Sequence, residues 1–235
     1  MTLRPRSKLE RLLEPLSEVY PIPERPNVDV LAQLILLYLV GSGADGKAAL
    51  VAISPLCAKN GGIDAEKLAQ TPRELVAAVC PAPHVDDVLH ALRAAGEAAS
   101  GARDLDARCR SDLSDARRLL RSLPLMTEQR ADLLLLYAGV HAVVAPTAQG
   151  VHVAARVGYP GASYASFARA LDAELPDFDG LEVAWRAHHL LEQHGKGICS
   201  HKDPRCARCP IRKGCAFKGE GDDPADRLYA TPRSE

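Results

Sequence analysis

Four of the seven cysteines fall in one short run, Cys199-SHKDPR-Cys206-AR-Cys209-PIRKG-Cys215, with gaps of six, two and five residues. Whatever else this chain folds into, it must bring four thiols to one point. The spacing reads as a single [4Fe-4S] cluster, because a cube takes one thiolate per iron and one segment must wrap it with loops of unequal reach. A structural zinc site more often uses two close pairs of ligands, and only Cys206 and Cys209 form such a knuckle. A zinc knuckle and disulfides remain the alternatives on spacing alone.

With 47% apolar and 25% charged residues among 235, the composition is that of a globular protein with one large core or two modest ones. The longest apolar stretch, Val28 to Val40, is broken by Asp29 and Gln33 and is too short to span a bilayer. The basic start, MTLRPRSKLERLL, has no apolar core or cleavage site of a secretory signal, so a cytoplasmic monomer is expected. Cys57, Cys80 and Cys109 are isolated from the run and read as small buried hydrophobes.

Net charge is −1, but its distribution is uneven. From Lys196 to Lys218, Lys196, Lys202, Arg205, Arg208, Arg212, Lys213 and Lys218 face one acid, Asp203. A basic cap on a slightly acidic body suits phosphate binding, since neutralised phosphates release counterions. The competing reading is a solvated loop whose charge offsets a thiolate-ligated cluster.

Apolar positions recur at three and four, alanine and leucine dominate, and strand-like runs are scarce, so the fold class is all-α. The pattern predicts helices over Ser7 to Val19, Asn27 to Val40, Gly46 to Cys57, Val85 to Ser100, Leu113 to Ser122, Glu128 to Ala138, Val151 to Gly158, Ser163 to Leu175 and Gly180 to His194. Another starts at Thr71-Pro72-Arg73-Glu74, with Thr71 as cap and Glu74 completing a capping box. Gly139 and Gly195 sit where a helix end would want a left-handed residue. Gly219 to Glu235 has no periodicity and reads as a mobile tail.

Trp185-RAHHLLEQHGKGI-Cys199 and the cysteine run, with its Pro-Arg-Cys step at Pro204 to Cys206 and Cys-Pro-Ile at Cys209 to Ile211, resemble the C-terminal end of endonuclease III. That is the helix-hairpin-helix-GPD superfamily of DNA glycosylases. Leu113 to Leu136 resembles the family's hairpin, and Asn27 to Ala49 its first core helix. The resemblance implies two helical domains flanking a DNA-binding cleft: residues 27–141 with the hairpin, and 1–26 plus 142–218 with the cluster. It implies double-stranded DNA, possibly damaged, as partner, and Cys199, Cys206, Cys209 and Cys215 as cluster ligands. Lys202 and Arg205 occupy the loop that faces phosphates in the family. Arg208 and Lys213 of the same run, and Thr127 of the hairpin turn, complete the candidate contacts.

His188, His189 and His194 lie on the helix leading into the run; with four cysteines satisfying the cube, packing and carbonyl hydrogen bonds are the expected roles. The family's bifunctional members attack the sugar with a hairpin lysine and support the developing cation with an aspartate. Matching Leu123-Pro124 to the hairpin's Leu-Pro places Gln129 at the lysine position, and the following helix places Val151 at the aspartate position. Neither side chain does that chemistry. No small register shift repairs this, because no lysine lies between Lys67 and Lys196 and no acid between Asp132 and Asp172. The hairpin turn is Leu125-Met126-Thr127 where the family is glycine-rich, and Gly41-Ser42-Gly43 follows the first core helix where the family has a polar gap-filling loop.

Excision activity is therefore expected to be impaired or absent. Two other readings stay open: an active glycosylase with relocated groups such as Asp132 and His152, and a DNA-linked redox or electron-transfer protein.

Overall fold

The computed structural model describes residues 5–58, 62–100, 105–217, 219 and 221–226. Residues 1–4, Lys218 of the basic run, and Glu220 and residues 227–235 of the tail lie outside the described residues. Twelve α-helices and four short 3-10 turns are present among the described residues, with no β-strand beyond an isolated bridge between Cys57 and Ile63. The all-α reading holds. The chain divides into two units, one of Pro26–His141 and one combining Met1–Arg25 with Ala142–Glu235.

The discontinuous unit holds α1 (Lys8–Ser17), α10 (Ala148–Arg156), α11 (Tyr164–Asp172) and α12 (Gly180–Gly197). Ser7 caps α1 and Glu10 closes a capping box back onto Ser7, which satisfies amides that the first turn leaves open. Leu9, Leu12, Leu13 and Leu16 recur at three and four and are all buried, contributing roughly 1.5–3 kcal/mol apiece. This stripe packs on α12, which is the spine of the unit and also carries α10. Trp185 of α12 is 2% exposed and donates Nε1–H to the Pro23 carbonyl, tying the N-terminal segment to the same helix.

The continuous unit holds α2 (Val30–Gly41), α3 (Gly46–Ile53), α4 (Ala65–Ala69), α5 (Arg73–Ala77), α6 (Val85–Ala99), α7 (Leu105–Cys109), α8 (Leu113–Arg121) and α9 (Glu128–Tyr137). Asp29 caps α2, whose buried Val30, Leu34, Ile35, Tyr38 and Leu39 form the centre against α3, α6, α7 and α9.

Several local expectations are corrected. The helix after Asp45 ends at Ile53, where Pro55 sits in a 3-10 turn over Ser54–Leu56. Thr71 is no cap: it is fully buried and its hydroxyl donates back to the Leu68 carbonyl, so Pro72 precedes α5 without side-chain capping. Gly139 does take the left-handed conformation, at φ 67°. Gly195 does not end its helix; it lies within α12, where a Cβ would approach the Gln149 carbonyl oxygen to 2.8 Å. Its missing side chain is what lets α10 lie so close to α12.

Candidate functional site

After α12 the chain wraps tightly around its own cysteines. Cys199 N–H donates to the His194 carbonyl at 2.8 Å, and Arg205 N–H returns to the Ile198 carbonyl at 2.8 Å, closing the first loop. Single 3-10 turns over Cys206–Arg208 and Arg212–Gly214 then space the last three cysteines. Cys199, Cys206, Cys209 and Cys215 line one pocket floored by Val157, Ile211 and Phe217. All four are half-buried, and none forms a disulfide.

The donor set fits a thiolate-bound cluster. Burial pushes the Cys199 and Cys209 thiols up, the Arg156 guanidinium opposes this at Cys199 and the Ile211 backbone at Cys209, and the neighbouring thiols push both up further. Four converging thiolates repel one another in a water-poor pocket, a cost that a positively charged metal group offsets. Each half-buried sulfur faces the same space, which supports one shared group over paired disulfides.

Arg156, the last residue of α10, organises this loop and was not singled out by sequence pattern. It is 1% exposed. Its Nη1 donates to the Cys199 and Ser200 carbonyls at 3.2 and 2.8 Å, its Nη2 to the His201 carbonyl at 3.0 Å, and Nη1 lies 3.4 Å from Cys199 Sγ. Its own carbonyl accepts from Ala216 and Phe217 N–H at 3.1 and 3.0 Å. The only hint in the sequence was a charged residue ending an apolar helix.

The histidines are structural. His188 Nδ1 is 2.6 Å from the Ala145 carbonyl, and His189 packs edge-on against Trp185. Burial lowers the affinity of His188 for a proton and pushes His189 and His194 down to about 4. His194 also borders the cysteines, with Tyr20 Oη 3.1 Å from Nδ1 and Cys209 Sγ 3.5 Å from Nε2. Lys202, Arg205, Arg208 and Lys213 are exposed, as phosphate contacts must be.

At the hairpin, α8 and α9 are joined through Leu123-Pro124-Leu125-Met126-Thr127. Leu125 adopts φ 59°, the left-handed region that favours glycine and costs a side-chain-bearing residue about 1–2 kcal/mol. Arg130 Nη1 donates to the Leu125 carbonyl at 2.7 Å and so braces the turn. Thr127 is exposed and caps α9, its side chain accepting from Arg130 N–H. Gln129 is half-buried in the first turn of that helix. An open groove beside α8, lined by Ser114, Arg117, Arg118 and Arg121, includes neither Gln129 nor Asp132.

Asp132 and His152, the candidate substitutes, are both buried. Asp132 is fully buried and accepts from Arg117 Nε at 2.6 Å, an ion pair joining the two hairpin helices. Val151 is 9% exposed and His152 2% exposed, both on α10. Burial, then the nearby Arg156 charge, pushes His152 down to about 4, so it is a neutral imidazole, packed edge-on to His201. Asp132 and His152 belong to different units, and each is held within its own packing.

No protein-family model matches the chain. Endonuclease III of Sulfolobus acidocaldarius is 25% identical over 195 residues, covering 78% of this chain and 80% of that protein. Among solved structures, a trapped endonuclease III–DNA covalent intermediate superposes with a TM-score of 0.63 at 14% identity, covering 88% of this chain and 94% of that one. A thermostable thymine-DNA glycosylase gives 0.62 at 16% identity, covering 89% and 94%. With its helical hairpin and its cysteine loop after the last long helix, the chain has the fold of endonuclease III and is similar to that enzyme in sequence over most of both chains.

Proposed function

We propose that this protein binds duplex DNA and carries a [4Fe-4S] cluster on Cys199, Cys206, Cys209 and Cys215, with base-excision chemistry impaired or absent. The convergence of four half-buried thiols, none in a disulfide, on one pocket carries the cluster reading. The cluster supplies a structural and redox-capable centre; the chain's own residues do the docking. Lys202, Arg205, Arg208 and Lys213 present their charge to phosphates, with Thr127 as a contact at the hairpin turn.

Gln129 and Val151 argue against the usual excision step: an amide is no nucleophile at the sugar carbon, and an isopropyl group stabilises no oxocarbenium ion. Asp132 does not replace them, because its carboxylate is committed to Arg117 in a fully buried site. Purified protein should be yellow-brown with about four irons per chain, and its affinity for undamaged and damaged duplex should fall steeply with salt. Zinc in place of iron, or affinity indifferent to salt, would overturn this assignment.

A further inference from the structure

Gly219 to Glu235 reads from sequence as a mobile tail, yet residues 221–226 fold back onto the cysteine loop. Asp223 is the anchor. Its carboxylate accepts from Arg156 Nε at 3.1 and 2.9 Å and from Nη2 as well. Ala225 is fully buried, and its N–H donates to Asp223 Oδ1 at 2.9 Å, which holds the carboxylate in place. One residue further, Asp226 Oδ1 lies 3.2 Å from His201 Nε2, so the segment grips the first cysteine loop at a second point.

We propose that Asp223 is a positioning residue for the cluster: it clasps the C-terminal segment to Arg156 and thereby fixes Cys199 and the loop that carries Lys202 and Arg205. A guanidinium is a rigid planar fork, so which edge it offers to one partner fixes the edge left for the others. Asp223 takes the Nε and Nη2 edge, which turns Nη1 toward the Cys199 sulfur and the loop carbonyls. Without the carboxylate, Arg156 is a buried cation satisfied by carbonyls alone, free to rotate away and admit water to the loop. The missing negative charge also favours the reduced cluster, because cluster potential follows net local charge, hydrogen bonds to sulfur and solvent exposure.

This rests on the cluster reading above, and the test separates the two. Iron-loaded wild-type protein, Asp223→Asn, Asp223→Glu and Asp226→Asn are compared for iron release to an excess chelator, followed by visible absorbance, and for reduction potential without DNA. Asp223→Asn should release iron about 10-fold faster or more, the scale typical of groups that orient metal ligands, and its potential should rise. Asp223→Glu, which keeps the charge, should restore most of the wild-type potential, and Asp226→Asn should show a smaller increase in release.

Wild-type release and potential in Asp223→Asn overturn the clasp and leave the cluster reading standing. If Asp223→Asn does not fold, the Asp226→Asn release rate decides: a modest increase supports the clasp, and a wild-type rate overturns it. Wild-type protein without iron overturns both.

Discussion

At the cysteine loop four half-buried thiols line one pocket, and a fully buried arginine ties that loop to the body of its unit. At the hairpin, two helices and their turn are present, with Gln129 half-buried in the first turn of α9. Arg117 and Asp132 brace the two hairpin helices much as Arg156 and Asp223 brace the loop. Both regions are therefore built by buried ion pairs, and the difference lies in what those pairs surround. One borders four half-buried thiols; the other braces a turn that holds Leu125 in the left-handed region. Architecture and reactivity are separable here, because packing fixes the first and a few side chains fix the second.

The largest effect expected from breaking this comparison is at the loop. Arg156→Ala leaves Asp223 without its cation and three loop carbonyls without a donor, and should cost about 3–5 kcal/mol by denaturant titration. A loss below about 1 kcal/mol would show that Arg156 does not organise the region.

Arg117→Ala, at the hairpin, strands the buried Asp132 carboxylate. It should cost about 2–3 kcal/mol, less than a fully buried pair because Arg117 is 24% exposed. If Asp132→Asn abolished any DNA processing while leaving stability untouched, the pair's structural role would be refuted.

Acid tests both units unequally. His188 and His189 take up protons near 6.5 when unfolded, whereas folded His189 does so near 4 and folded His188 below its ordinary value. Between these limits the unfolded chain binds more protons, so stability is full above about 6.5 and declines as pH falls toward 4. A loss on the order of 1 kcal/mol corresponds to a Tm drop of about 2–4 °C. A Tm flat over that range would contradict the buried neutral state.

Leu125→Gly should show the smallest effect. It relieves left-handed strain but loosens the unfolded chain, for a net gain of about 0.5 kcal/mol or less. It also bares the turn's amides, so DNA affinity should rise several-fold; unchanged affinity would mean that the side chain does not obstruct a phosphate.

Much of this was legible beforehand. Helical periodicity exposed the buried stripe of α1, and the cysteine spacing marked the loop. Arg156 and Asp223 were not legible as partners, because they are 67 residues apart and no periodicity links them. The tail reads as mobile because one buried alanine among glycine, proline and three aspartates leaves no pattern. Leu125 gave no sign of a positive φ, since a hairpin turn forces it through tertiary packing that overrides local preference. Asp132 read as a possible acid because sequence shows its helix position and not the arginine waiting across the hairpin.

The most direct test of a DNA-docking protein without its usual chemistry is to incubate pure, iron-loaded protein with duplexes carrying an abasic site or an oxidised pyrimidine. Binding and strand cleavage are measured on the same samples, with hot alkali added to reveal any abasic product. The account predicts salt-sensitive binding and no cleavage above the no-protein control; robust nicking or alkali-revealed excision by the wild-type chain would contradict it.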